Sequence, residues 1–181
     1  DNITYQKNAE ANAKYLAQSL QNMLDASPLG VLVYSLDEND QLILISTNQS
    51  AVNILQIDVY ALISKNIRDI FPSLVKDNVI GKFIDVVKTG QPLLNQNLFY
   101  EDIHFKGVYE FSVMKLSNKT IAVFFTDVTE KTKALDSLKQ SELKFKTLFD
   151  SANDAIFLMK EDVFIDCNEK TTVMFNASKE Q

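Results

Sequence analysis

The sequence predicts an α+β fold built on an antiparallel sheet. Three observations predict it: a hairpin pattern after an N-terminal helical stretch, a helical middle region that ends in an amphipathic helix, and three later β-type runs joined by short turns. Apolar residues make up 46% of the 181 residues and charged residues 23%. A chain of this composition buries a core and folds.

The first two elements expected are a helix and a hairpin. Residues 5–25 contain neither Gly nor Pro and carry apolar side chains at three- and four-residue spacing, which is typical of an amphipathic helix that Ser27 and Pro28 should end. Two β-type runs follow at 30–36 and 41–47. The four turn-forming residues DEND separate them, so they should pair as a hairpin.

The middle region is predicted to be helical. Short helical pieces should reach Phe71 and Pro72, and one longer helix is predicted over 74–89, with Gly90 as its C-terminal stop. One face of that helix is apolar and should be buried, and it consists of Val79, Ile80, Phe83, Ile84, Val86 and Val87.

Three β-type runs, 93–103, 108–116 and 120–127, should form an antiparallel meander. The last run contains IAVFF, which is apolar at consecutive positions rather than at alternate ones. Both faces of this strand should therefore be covered, which predicts a central place in the sheet.

A final helix should begin after the meander. Asp127 and Glu130 have the spacing of a capping box, in which Asp127 accepts from the first free amides and Glu130 reaches back. Val128, Leu135 and Phe149 then fall on one seven-residue register, which Glu142 interrupts. This seam suits pairing with a second helix, and packing on the domain's own sheet is the alternative for its first turns.

The chain also contains an internal repeat. Residues 24–33 align with 149–158, and residues 45–48 align with 165–168 after a shorter turn. A repeat with a period of domain length indicates two copies of one module. The second copy stops at Gln181, before its long helix and its meander.

Three segments carry a resemblance to a known family: 25–31 (DASPLGV), 48–51 (NQSA) and 127–131 (DVTEK). In this order the chain resembles the PAS sensory domain, whose Asp-Ile-Thr signalling motif is matched by Asp127, Val128 and Thr129, with Val in place of Ile. The resemblance implies a five-stranded antiparallel sheet in the order 2-1-5-4-3, with helices over one face and flanking N- and C-terminal helices.

The same resemblance implies a domain plan and a function. The plan is an N-terminal flanking helix (1–25), a complete PAS domain (26–130), a connecting helix (131–149) and the start of a second PAS domain (150–181). Like tandem PAS regions of bacterial or archaeal signalling proteins such as sensor histidine kinases, the chain would be a sensory input module. It would form a homodimer through its flanking helices and act on a downstream output domain. A ligand-free dimerisation spacer and a small-molecule or flavin-binding domain remain the alternatives.

Charge and hydropathy narrow the range of partners. The net charge of -6 argues against nucleic acid, because a phosphate-backbone binder usually presents a basic face. No apolar run has the roughly 18 residues that a membrane span requires, so no direct membrane contact is expected. A cytoplasmic segment is expected, whose parent protein could be membrane-anchored.

Haem and adduct-forming flavin are disfavoured. Flavin adduct chemistry in this family needs a Cys between the second strand and the long helix, and the single Cys167 lies in the second copy. Haem-binding relatives usually supply an axial His from the long helix, whereas the single His104 is expected in a turn after the third strand. One Cys and one His also make no zinc cluster, so no metal site is expected. An unidentified small ligand remains open.

The residues expected to line a ligand pocket are inward-facing aromatic and polar side chains, and the same positions would serve equally well as core. The principal candidates are Tyr34, Asn48, Phe71, Phe83, Tyr100, Phe111 and Phe125, with Ile67, Val79, Leu98 and Val113 beside them. Signal transmission is assigned through the resemblance to Asp127, Val128, Thr129 and Glu130.

A catalytic role is not expected. The chain has four Gly residues, which form no phosphate-binding loop, and no Ser/His/Asp set can be built unless His104 is its base. Any kinase or cyclase activity would lie in other parts of the parent protein.

Overall fold

A computed structural model describes residues 11, 12, 14, 15, 18, 19, 21–76, 78–103 and 106–176. The chain divides into two compact units, Asp1–Thr129 and Glu130–Gln181. The described residues among 11–26 are helical and are called α1 here. The first six residues of the helix predicted over 5–25 lie outside the described residues.

The first unit is built on one five-stranded antiparallel sheet. Its strands are β1 (Gly30–Leu36), β2 (Leu42–Thr47), β3 (Leu93–Glu101), β4 (Lys106–Lys115) and β5 (Thr120–Asp127). Their order is β2-β1-β5-β4-β3, which confirms the predicted fold and the central place of β5. β5 is paired with β1 on one side and β4 on the other.

Five short elements connect β2 to β3. They are α2 (Gln49–Leu55), a 3₁₀ turn (Tyr60–Leu62), α3 (Ile67–Ile70), a second 3₁₀ turn (Pro72–Val75) and α4 (Val79–Thr89). Four of them supply buried side chains to one core that they share with the strands, and the first 3₁₀ turn packs the half-buried Leu62 against it.

The long helix is shorter than predicted. It was expected over 74–89, but Leu74 belongs to the second 3₁₀ turn and α4 begins only at Val79. The reason lies at Asn78, which has a left-handed φ of 52°. Asn tolerates this conformation, which breaks a right-handed helix. The stop at Gly90 is confirmed, since Gly90 has a φ of 79° and its N–H donates to the Val86 carbonyl.

The third and fourth strands also end differently from the prediction. Glu101 pairs with Lys106 at the end of the β3–β4 ladder. Asp102 and Ile103 therefore fall in the connecting turn, although the third run was predicted to reach 103. The fourth strand begins before the predicted Val108 because the same ladder includes Gly107.

Alternate positions of the central strands point into the core, as a pleated sheet requires. Leu32 and Tyr34 of β1, Phe111 of β4 and Val123 and Phe125 of β5 are all buried there. On the other face, Val31 and Ala122 are also buried, which agrees with the doubly apolar pattern of β5 and its neighbour.

The second unit repeats the hairpin of the first. Its first element is α5 (Thr129–Ser151), whose first residue still belongs to the first unit. The elements that follow are β6 (Phe157–Lys160), β7 (Val163–Cys167) and α6 (Glu169–Phe175).

The two hairpins share even their irregularity. In the first, Leu32 pairs with Thr47 and Tyr34 with Leu44, and the register shifts between Val33 and Tyr34. In the second, Phe157 pairs with Cys167 and Met159 with Phe164, and the register shifts between Leu158 and Met159. Every pair aligns with its counterpart, so the internal repeat is confirmed in the hairpins.

Candidate functional site

An apolar cavity of about 70 Å³ lies between the inner face of the sheet and the helical layer of the first unit. Six of the seven principal pocket candidates line it: Tyr34, Phe71, Phe83, Tyr100, Phe111 and Phe125. Of the secondary candidates, Ile67 and Leu98 line the cavity, whereas Val79 and Val113 belong to the core without lining it.

Tyr34 lines the cavity and also carries a buried polar group. It lies at the middle of β1 with only 1% of its surface exposed. Its hydroxyl oxygen is buried, and no described residue forms a hydrogen bond with it. Burial raises the pKa of Tyr34 far above its ordinary value, so the hydroxyl stays protonated and can donate as well as accept.

Tyr100 has a different environment on the β3 side of the cavity. Its hydroxyl donates to Asp102 Oδ2 at 2.7 Å, and its ring packs edge-on against Phe71 at 5.9 Å between centroids. Burial, followed by the bond to the Asp102 carboxylate, raises the pKa of Tyr100 above its ordinary value. The Tyr100 hydroxyl therefore has a protein partner, unlike that of Tyr34.

The remaining wall of the cavity is aromatic. Phe83 of α4 packs against Phe111 of β4 at 5.6 Å, and Tyr109 packs against Phe125 at 6.3 Å. Phe125 lies directly over Gly30, where an added Cβ would overlap its ring. Gly30 is thus required by the close approach of this ring.

Asn48 lies outside the cavity. Its side chain is fully buried and joins the end of α1 to the start of β1 and to α2. Asn48 Oδ1 accepts from Val31 N at 2.9 Å and from Ala51 N at 3.0 Å, and Nδ2 donates to the carbonyls of Leu24 and Leu29 at 2.7 and 2.9 Å. Because both polar atoms are engaged, Asn48 has no free group to offer a ligand in the cavity.

The residues assigned to signal transmission lie where β5 ends and α5 begins. Asp127 Oδ1 accepts from Thr129 N at 2.8 Å and from the Thr129 hydroxyl. Thr129 Oγ1 in turn accepts from Val108 N at 2.9 Å, and Val128 N donates to the Val108 carbonyl at 2.8 Å. This junction therefore joins β4, β5 and the first residue of α5.

The predicted capping box is wrong in one half. Asp127 caps the helix as expected, but Glu130 does not reach back to it. Glu130 forms an exposed ion pair with Lys133 at 3.0 Å, in which 89% of the Glu130 side chain is exposed. The hydroxyl of Thr129 instead bridges Asp127, to which it donates, and Val108 N of β4, from which it accepts.

Several cavity residues were missing from the sequence prediction. They are Leu32, Leu55, Leu74, Tyr109 and Val123. The alternation of β1, β4 and β5 would have identified three of them, since Leu32, Tyr109 and Val123 have the same parity as the candidates Tyr34, Phe111 and Phe125.

The two residues considered as cofactor ligands are placed differently. Cys167 lies in β7 with an unpaired thiol and is half-buried. His104 lies outside the described residues. Within the described ranges, no group of three or more His, Cys, Asp or Glu side chains could hold a metal ion. No described helix combines the length and the apolar character that crossing a membrane would require.

Comparison with solved structures places the fold among known sensory domains. A domain of a sensory box sensor histidine kinase/response regulator from Geobacter sulfurreducens has a TM-score of 0.51 at 9% identity, over 64% of this chain and 96% of that one. A PAS domain from Colwellia psychrerythraea has a TM-score of 0.52 at 11% identity, over 64% of this chain and 98% of that one.

An RNA-binding light-oxygen-voltage receptor has a TM-score of 0.55 at 14% identity, over 70% of this chain. This chain covers 37% of that receptor's length. At these identities the likeness shows the fold alone.

Sequence comparison identifies the family. No curated protein matches the chain. The family model described as the PAS domain matches residues 18–88 and 143–181, one stretch in each copy of the repeat and together more than half of the chain. The chain therefore belongs to the PAS domain family.

Proposed function

We propose that this chain is the sensory input and dimerisation module of a signal-transduction protein. In this proposal the first PAS domain responds to the occupancy of its cavity and passes the change through Asp127, Val128 and Thr129 to α5. The module is cytoplasmic and has no catalytic step of its own, and a downstream output domain reads the state of the helix.

The observation that carries the proposal is the hydrogen-bonded junction at Thr129. Its hydroxyl accepts from the backbone of β4, and its backbone N–H donates to the last residue of β5. Both strands supply side chains to the cavity wall, namely Tyr109 and Phe111 from β4 and Phe125 from β5. A displacement of either strand therefore acts directly on the first turn of α5.

The proposed domain boundaries divide the chain into four segments. A flanking helix over 1–25 precedes a PAS domain over 26–130, and a connecting helix over 131–149 leads to the start of a second PAS domain over 150–181. The division of the chain between Thr129 and Glu130 supports the second boundary.

Dimerisation is proposed through the flanking helices. Leu135, Leu138 and Phe145 of α5 are 49%, 57% and 54% exposed and occupy the two apolar positions of a seven-residue register. An exposed apolar seam of this kind is satisfied by a second helix.

The relay is tested by replacing Thr129 with Val or with Ser. Thr129→Val has almost the same shape but loses the hydroxyl, whereas Thr129→Ser keeps it. Hydrogen exchange of the amides in the first turn of α5 is measured with and without xenon, which enters small apolar cavities. We expect xenon to change this exchange in the native protein and in Thr129→Ser but not in Thr129→Val. An equal response in all three would show that the signal leaves by another route.

A second candidate function is a ligand-free dimerisation spacer. It is favoured by the cavity volume of about 70 Å³, which is small beside the roughly 300 to 1,000 Å³ of typical ligand pockets. Native mass spectrometry of the purified chain, followed by extraction and identification of any bound compound, distinguishes the two. A retained stoichiometric compound supports the sensor, whereas an unliganded protein that also fails to take up small molecules supports the spacer.

A further inference from the structure

The end of α1 and the start of α2 supply hydrogen-bond partners to each other. The Leu24 carbonyl lies in the last turn of α1, and it cannot accept the usual bond from four residues ahead because Pro28 has no N–H. Asn48, the N-cap of α2, donates to this carbonyl from Nδ2 at 2.7 Å. In return, Asp25 Oδ1 accepts from Gln49 N, the first amide of α2, at 2.9 Å. Each helix end therefore caps the other.

A third hydrogen bond joins the same two helix ends. The hydroxyl of Ser50, in the first turn of α2, donates to the carbonyl of Ser27, one residue after α1. The carbonyl end of a helix carries a partial negative charge and the amide end a partial positive charge, so the two ends attract each other. The three bonds from Leu24, Asp25 and Ser27 to the start of α2 are called the α1–α2 junction here.

The α1–α2 junction is connected to the cavity through α2. This helix has only seven residues, which is about two turns. Asn48 precedes its first residue, and Leu55 is its last. Leu55 is buried and lines the cavity. Because so short a helix moves as one body, a displacement of its first turn also displaces this part of the cavity wall.

The Asp25 contact is one that can be made and released. Asp25 and Gln49 are 24 residues apart, with β1 and β2 between them, so the covalent chain does not hold α1 on α2. The Asp25 side chain is exposed, and Gln21 Nε2, one turn earlier on α1, donates to its Oδ2 at 3.2 Å. A hydrogen bond that water can replace contributes little net free energy. A modest change in α1 can therefore shift the balance between the engaged and the released contact.

The same residue types recur where α5 leads into the second copy. Asp150, near the end of α5, aligns with Asp25, and Asn168 aligns with Asn48. Asn168 likewise caps the helix that follows its hairpin, by accepting from Thr171 N at 3.1 Å. The residues of the junction thus belong to the place where a helix enters the repeated module.

We propose that the α1–α2 junction is an input switch, through which the state of the helix that precedes the first PAS domain sets the position of α2. Asp25 is the positioning residue that engages the first amide of α2, and Asn48 anchors the junction to the hairpin. This inference goes beyond the proposed function. There a change leaves the cavity through α5, whereas the junction gives a change in α1 a route into the domain.

The experiment changes α1 outside the junction and measures α2. Asn22 is exposed on α1, so Asn22→Ala should favour the helix and Asn22→Gly should disfavour it without touching α2. Hydrogen exchange of the α2 amides is followed by NMR in the full chain. We expect exchange in α2 to be roughly twofold to fivefold faster in Asn22→Gly than in Asn22→Ala, where fivefold corresponds to the whole difference in helix propensity.

The same pair of Asn22 variants is then made in two further backgrounds. Asp25→Ala removes the acceptor of Gln49 N, whereas Asp25→Asn keeps an oxygen at that place and is the matched control. We expect the difference between the two Asn22 variants to fall to less than half in Asp25→Ala and to persist in Asp25→Asn. Ala at the carbonyl end of α1 favours the helix more than Asp does, so loss of the difference would not reflect melting of α1. Exchange of the α1 amides checks this.

Two results would overturn the inference. Equal exchange of the α2 amides in Asn22→Gly and Asn22→Ala would show that α1 does not act on α2. A difference that stays undiminished in Asp25→Ala would show that the effect reaches α2 without the Asp25 contact. The relay of the proposed function is measured elsewhere, in the first turn of α5 and with Thr129→Val. Failure of that relay therefore leaves the result at α2 unchanged, and failure of the input switch leaves the relay unchanged.

Discussion

Asn48 and Asn168 make three corresponding hydrogen bonds in the two copies of the repeat. Asn48 Oδ1 accepts from Val31 N at 2.9 Å, and Asn168 Oδ1 accepts from Ile156 N at 3.0 Å. Each also accepts from the backbone N–H three residues ahead, which caps the following helix. The side chain therefore fixes the start of the hairpin and the start of a helix at once.

Replacing Asn48 with Ala should cost the first unit about 2 to 4 kcal/mol, because four hydrogen bonds are lost and buried backbone groups are left without partners. Gln49→Ala is the matched control, because Gln49 is the next residue and its side chain is exposed. It should change stability by less than about 0.5 kcal/mol. Urea unfolding measures both. Equal losses would show that the Asn48 bonds contribute nothing specific.

Tyr34→Phe and Tyr100→Phe should change stability in opposite directions. The first removes a buried hydroxyl that has no partner, so we expect stabilisation by about 1 kcal/mol in the absence of ligand. The second removes the donor to Asp102 and should destabilise the protein by about 0.5 to 1.5 kcal/mol. Thermal unfolding under the same conditions measures the pair. Destabilisation by Tyr34→Phe would mean that the hydroxyl is already satisfied.

Alkaline pH should unfold the protein through its buried tyrosines. Burial raises the pKa of Tyr34 and of Tyr100 in the folded state above the unfolded value of about 10. Above about pH 10 the folded protein keeps protons that the unfolded chain releases. The contribution of these protonated hydroxyls to the free energy of unfolding is therefore complete below about pH 10 and is lost as the pH rises further. Each such proton contributes a slope of about 1.4 kcal/mol per pH unit.

Above pH 10, Tyr34→Phe should therefore reduce the slope of the free energy of unfolding against pH by the contribution of one proton, about 1.4 kcal/mol per pH unit. The variant Tyr15→Phe is the control, because Tyr15 is 75% exposed, and it should leave the slope unchanged. Denaturant unfolding at pH 9, 10 and 11 gives the slopes. The same slope in Tyr34→Phe as in the native protein would contradict the raised pKa.

Asp127→Ala should remove the cap of α5 and cost about 0.5 to 2 kcal/mol without unfolding the sheet. Asp127→Asn is the control, since it keeps an oxygen that can accept from Thr129 N. We expect faster amide exchange in the first turn of α5 in the Ala variant only. Unchanged amide exchange in this turn would show that the hydrogen bonds of Val108 with Val128 and Thr129 are enough to hold the start of α5.

Leu138→Asp should weaken the proposed homodimer at least tenfold by placing a charge in the apolar seam of α5. Ser137→Asp adds the same charge to the neighbouring position outside the seam and should leave association unchanged. Sedimentation of both variants and the native chain gives the dissociation constants. A monomeric native chain at micromolar concentration would contradict the dimer itself.

The architecture followed from the sequence because its signals are local. Short β-type runs bounded by turn-forming residues predicted β1 and β5 with their observed bounds, and the family resemblance implied the strand order. The helix start at Val79 was missed because the break depends on the left-handed backbone of Asn78, and nothing in the apolar pattern requires it.

The site was harder to predict than the fold. Parity along the strands identified most inward residues but not which of them border the cavity, since Val113 and Phe111 share a face and only Phe111 lines it. Asn48 was assigned to the pocket because it is polar and buried, whereas its hydrogen bonds all go to the backbone. The unsatisfied hydroxyl of Tyr34 depends on the absence of neighbours, which no sequence pattern shows.

The position of β5 also determines the order in which the first domain can be assembled. β1 meets β2 across one short turn, so this hairpin forms at little loop-closure cost as soon as both strands are synthesised. β1 meets β5 only after α4, β3 and β4 have been made. Until then, the free edge of β1 is an unpaired strand that other chains can join. Folding of this domain is therefore limited by the arrival of its last strand, and aggregation during synthesis competes at that step.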